Sequence, residues 1–191
     1  MFTYELTNLQ ELRQAFDPRL VDKAFDRALQ VASTKARTRI SRKTRETYNI
    51  KAGDIGRSVV LRKLQSEPGR LLVFTGSMIG LDKFGARPKR ITTPRGRRVG
   101  VTVQVKKAGG RKVVKGGFIA NVSGNKIFKR IPGTRMSSNP NKEKIKRKFG
   151  PSIAHMVGNK AVLADFEAHA GEDAAIEFNR FLEFLMSKPT P

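Results

Sequence analysis

Lys and Arg crowd into the middle of this chain: 32 of its 39 lie between Lys35 and Lys148, alongside only five Asp and Glu. The net charge is 32 − 5 = +27 there, 4 − 5 = −1 over residues 1–34 and 3 − 6 = −3 over residues 149–191, which together make the overall +23. Such a surface repels its own copies unless something acidic neutralises it. The fold must therefore draw on apolar patterns at its two ends and turn its middle outward. The partner is expected to be nucleic acid, an anionic membrane or an acidic protein surface.

A length of 191 residues is enough for one domain with a real core. Apolar residues make up 38%, below the usual globular share, but they are clustered rather than diluted. Cysteine is absent, which removes disulfides, thiolate metal sites and a cysteine nucleophile. Glu5 and Glu11 sit among polar residues near the start, unlike a signal peptide. No apolar run approaches the roughly 20 residues that span a bilayer, and the cations are not confined to one face of an amphipathic helix, so a soluble protein without a membrane partner is expected.

Asp17-Pro18 is a helix start, with Asp at the cap and Pro at the first helical position. Val21, Phe25, Ala28, Leu29, Ala32, Ala36 and Ile40 then form one stripe, and no Gly or Pro interrupts before Gly53. The spacing predicts a helix to about Thr47. Its second half is expected to be an arm carrying Lys35, Arg39, Arg42, Lys43 and Arg45. Asn49–Arg57 is expected to be a turn and a short helix capped by Asp54.

Ser58–Leu64 and Arg70–Thr75 are predicted strands joined across Glu67-Pro68-Gly69. Val99–Val105 alternates as a half-buried strand, followed by a turn at Ala108–Arg111 into Lys112–Lys115. Gly116–Val122 and Lys126–Ile131 form a further predicted hairpin. Two stretches lack periodicity and are expected to be extended basic loops, near residues 84–98 and 132–148. The first carries Arg87, Lys89, Arg90, Arg95, Arg97 and Arg98; the second carries Lys144, Lys146, Arg147 and Lys148. The tail turns apolar from Ala161 to Leu185, with Gly171 expected to separate or kink its helices. The expected class is α+β: a long N-terminal helix, a central antiparallel sheet and a C-terminal helix packed on the sheet.

Chemistry finds little purchase here. His155 and His169 stand fourteen apart, outside metal-ligand spacing. Asp165 and Glu167 near His169 fit solvated helix positions better than a general base. The glycine pairs at 109–110 and 116–117 fit turns rather than phosphate loops. Five scattered acids do not make a paired-carboxylate nuclease centre. No catalytic, cofactor or metal site is expected, and no known sequence-reading motif for nucleic acid is present.

The order of features carries a resemblance. A helix turns basic, then come Ser41–Ile55 (SRKTRETYNIKAGDI), an Arg-dense loop at Arg87–Arg98, the pair Gly117-Phe118 and Phe149–Asn159 (FGPSIAHMVGN). Gly150, Pro151, Ser152 and Ile153, with Met156, are its most telling segment. Over roughly Leu20 to Leu185 this resembles the minor tail protein Z family of long-tailed bacteriophages, whose members are tail-completion proteins. The resemblance implies a single tail-completion domain over residues 1–191 and a non-enzymatic structural role in the virion tail or neck. It implies a homo-oligomeric ring, with a hexamer expected, around the DNA path. Tail terminator, tail tube or neck proteins would be neighbours, genomic DNA would pass close by, and assembly would occur in the host cytoplasm. The competing expectation is a free-standing basic protein that binds nucleic acid through phosphates.

Overall fold

The computed structural model describes residues 13–65, 69–90 and 98–187. The class is α+β, with a long helix near each end; between them, among the described residues, lie short helical pieces and strands that all pair antiparallel. The chain forms two compact units. One draws on Met1–Lys43, Val59–Phe74 and Val157–Pro191, the other on Thr44–Ser58 and Thr75–Met156.

In the first unit, α1 (Pro18–Thr47) starts where Asp17-Pro18 predicts. The Asp17 carboxylate accepts from the Arg19 backbone N–H at 2.9 Å, and its carbonyl accepts from Leu20 and Val21. Those bonds satisfy donors that an opening turn otherwise leaves orphaned. Of the predicted stripe, Val21, Ala28, Ala32, Ala36 and Ile40 are each at most 8% exposed, while Phe25 and Leu29 are half-buried; Ala24, outside the predicted stripe, is buried as well. The C-terminal helix, labelled α4 (Lys160–Met186), is capped by Asn159, whose side chain accepts from the Ala161 N–H. It runs unbroken through Gly171, contrary to the expected break. Alanines at 168, 170, 174 and 175 surround that glycine, and one interior glycine costs only about 1 kcal/mol. Phe178 of α4 packs with Val21, Ala24 and Ala28, and Phe25, Phe181, Leu182 and Leu185 surround them. The core partner of α4 is thus α1 rather than a strand. Small residues on α1 leave room for the aromatic rings, and Phe25 meets Phe178 edge-on at 6.0 Å.

The same unit holds the hairpin β1 (Val59–Lys63) and β2 (Arg70–Phe74), in register from Val59↔Phe74 to Lys63↔Arg70. The predicted turn tripeptide falls partly outside the described residues.

The second unit begins at the end of α1 and contains α2 (Ala52–Gly56). Asp54 lies inside α2 instead of capping it; Lys51 holds the cap position without a side-chain bond. Strands β3 (Met78–Gly80), β4 (Arg87–Arg90), β5 (Arg98–Val103), β6 (Lys112–Lys115), β7 (Gly117–Asn121), β8 (Asn125–Arg130), β9 (Ile145–Arg147) and β10 (Phe149–Ser152) follow. They form sheets β4-β5-β6, β7-β8-β9 and β10-β3 rather than one central sheet. Both expected loops are therefore partly strand: β4 lies within 84–98 and pairs antiparallel with β5, which begins at Arg98, and β9 occupies the end of 132–148. Their Arg and Lys richness hides the alternation that marks other strands.

Alternation on β5 sends Val101 and Val103 inward, where they meet Ile127 of β8 with Leu81, Ala86, Val105, Val114 and Ile119 around them. The exit of β5 is tied to the end of α1: Asn49 N–H donates to Val105 and Lys107 N–H donates to Thr47. A short helix α3 (Ile153–Val157) follows β10.

Candidate anion-binding and partner surface

Charge is distributed very unevenly over these units. Thr44–Ser58 and Thr75–Met156 carry 24 Lys and Arg against 4 Asp and Glu, or +20. The other unit carries 15 against 12, only +3. The basic middle of the sequence is therefore mostly the second unit.

Three of the five cations expected on the α1 arm meet carboxylates of α4. Lys35 meets Glu177 at 2.5 Å, Arg39 meets Asp173 at 3.2 Å and Lys43 meets Asp165 at 3.3 Å. Steps of four on α1 match descending steps on α4, because residues four apart share a helix face. The expected free arm is instead one side of an ion-pair ladder. Asp165 serves that ladder and offers its backbone carbonyl to the His169 ring at 2.8 Å. Arg42 lines a groove of about 620 Å³ with Arg27, Thr34, Thr38, Arg39 and Asp173. Arg45 is exposed.

A second neutralised group lies on the β1–β2 hairpin. Lys63 and Arg70 stand directly opposite each other, an arrangement that destabilises a strand pair. Asp26 of α1 resolves it by reaching Lys63 at 3.0 Å and Arg70 at 2.9 Å. The Lys63 hydrogen bond, with help from the Arg70 charge, holds the Asp26 carboxyl below its ordinary pKa despite partial desolvation.

In the second unit, Arg147 is paired with Asp82 at 3.0 Å and lies 5.0 Å from the Phe149 ring centre. Asp54 faces Lys83 and Arg57, each at 3.9 Å. Arg87 is exposed on β4 opposite Thr102. Lys89 pairs in register with Gly100, and Arg90 with Arg98; the side chains of Lys89, Arg90 and Arg98 lie outside the described part. Arg95 and Arg97 lie outside the described residues. Lys144 and Lys146 are exposed, and Lys148 is half-buried with its backbone bonded to Ile127 and Leu81.

Sequence reasoning passed over Lys115 and Lys129. Lys129 stands directly opposite Lys146, and Gly117 completes the row on the far side of Lys129. The predicted hairpin over 116–131 held part of that signal; the pairing with β9 did not show in any local pattern.

The family-like segment is packing. A Cβ on Gly150 would come within 2.8 Å of Phe84 Cε2, and Phe84 is fully buried. Ile153 and Met156 are at most 1% exposed. The Ser152 hydroxyl accepts from the His155 N–H at 3.2 Å, and Pro151 lies in β10. Among the described residues no group of three or more His, Cys, Asp or Glu converges, and no helix is long and apolar enough to cross a membrane. No protein-family model, curated protein or solved structure matches the chain.

Proposed function

We propose that this protein is a structural virion component of a long-tailed bacteriophage. It completes the head-proximal end of the tail and joins it to the head as a ring around the DNA path. The observation that carries this is the ordered resemblance from the basic helix end through Gly150-Pro151-Ser152-Ile153 to the last helix. Concentration of +20 in one compact unit supports a role beside a polyanion or an acidic ring, where charge steers and registers assembly. A head-to-tail interface between copies closes into a ring when its rotation permits. The ladder of Lys35, Arg39 and Lys43 occurs within one chain, so copies would be joined through other surfaces.

The same charge favours a second role, a free-standing nucleic-acid binder working through phosphate contacts. Native mass of the nuclease-treated protein in moderately high salt separates the two. A discrete closed oligomer, with a hexamer expected, supports the ring. A monomer that stays monomeric when tail-tube or neck proteins are added removes it and leaves the nucleic-acid role.

A further inference from the structure

We infer that Lys115, Lys129 and Lys146, gathered at the Gly116-Gly117 step, form a seat for the phosphodiester backbone of a polynucleotide. The inference holds under either role proposed above. It starts from a contrast inside the fold. Two cross-strand pairs place fully described cations directly opposite each other, Lys63↔Arg70 and Lys129↔Lys146. Each would repel across a strand pair. At the first, Asp26 bonds both cations. At the second, no carboxylate among the described residues lies within ion-pairing distance of either lysine. The fold supplies its own counter-ion in one place and leaves the other open.

The geometry around the open pair suits a phosphate chain. Gly117, Lys129 and Lys146 form one row across β7, β8 and β9, so neighbouring members are about 4.8 Å apart. The Lys129 side chain passes beside Gly116, its Cε 3.6 Å from where a Cβ there would stand. Lys115 precedes that glycine, and all three lysines are exposed. Gly116 has φ +69, the left-handed region that glycine enters at no steric cost. Exposed Gly116 removes a side chain where a ligand would approach the ammonium groups, whereas Gly117 is buried against Val114 and only lets the β6–β7 step pack closely. The row has no apolar side chain to serve as the buried anchor typical of a protein interface, whereas phosphate contact needs only cations and access. The +20 of the surrounding unit draws such a ligand in.

The test is fluorescence anisotropy of the full, nuclease-treated chain with a short random-sequence DNA duplex, between about 50 and 200 mM salt. Each phosphate contact adds about 0.9 to the slope of log K against log salt. The variant Lys115→Gln/Lys129→Gln/Lys146→Gln should lower that slope by about 2 to 3. The charge-matched control Lys51→Gln/Lys106→Gln/Lys107→Gln should change it much less. Lys129→Arg/Lys146→Arg should keep the wild-type slope, and Lys146→Gln alone keeps the test open should the triple variant fail to fold. Equal losses in site and control variants would overturn the seat in favour of a diffuse field. So would absence of DNA binding, or tighter binding of polyglutamate than DNA at equal salt, which would point to an acidic protein. Virion composition is measured separately, so failure of the seat and failure of the tail role are distinguishable.

Discussion

Replacing Lys35 by Met should expose how much the ion-pair ladder holds α1 to α4. Glu177 is buried, with a side chain only 4% exposed, whereas Lys35 is 45% exposed. Exposed pairs contribute about 0–1 kcal/mol, and breaking a buried pair costs about 3–5. This pair falls between: water reaches the ammonium, but the carboxylate left behind cannot easily regain hydration. Arg180 stands 3.9 Å from its other oxygen and compensates in part. We therefore expect Lys35→Met to destabilise by about 2 kcal/mol, between those two classes. Glu177→Leu alone strands only a half-exposed lysine, so it should cost about 1 kcal/mol or less. The double variant should return close to wild type, because the removed desolvation penalty offsets the lost attraction. Urea unfolding of all four proteins closes the double-mutant cycle, with a coupling of roughly 2–3 kcal/mol in magnitude expected. Strict additivity would refute the reasoning, since it would mean that the two groups stabilise the protein independently.

Phe178→Ala should cost about 3–5 kcal/mol, whereas Phe184→Ala, at a position 55% exposed, should cost under about 0.5; denaturant midpoints compare them. Gly150→Ala should lower stability by about 1–3 kcal/mol, because the added methyl meets the buried Phe84 ring; the added Phe84→Leu change should recover part of the loss in thermal unfolding. Asp26 has a lowered pKa in the folded state, so its contribution is present above the unfolded value of about 3.9 and fades as pH falls through the folded value. Asp26→Asn should accordingly lose stability at neutral pH and flatten the acid limb of a pH–stability curve.

Local chemistry was legible in the sequence. Asp17-Pro18 marks the start of α1, uninterrupted helical spacing marks its end at Thr47, and alternation marks β5 and the β7–β8 hairpin. Each of those signals lies within a few residues of the structure it specifies. Four features did not show. Gly171 suggests a break, but flanking alanines and the packing around Phe178 carry α4 past it. β4, within the Arg-rich stretch 84–98, looks irregular because a strand exposed at Arg87 and Pro88 needs no apolar alternation. Lys35, Arg39 and Lys43 looked like free arm charges because their partners lie more than a hundred residues away. Likewise, Lys129↔Lys146 depends on strand register, which neither local sequence states. The net charge pointed to a polyanionic or acidic partner; the fold changes which cations are free to meet it.

The tail-completion role is tested most directly by quantifying this chain in purified phage particles and locating it by labelled electron microscopy. The account predicts a fixed, multi-copy complement at the junction of head and tail. Intact infectious particles that lack the chain would contradict it.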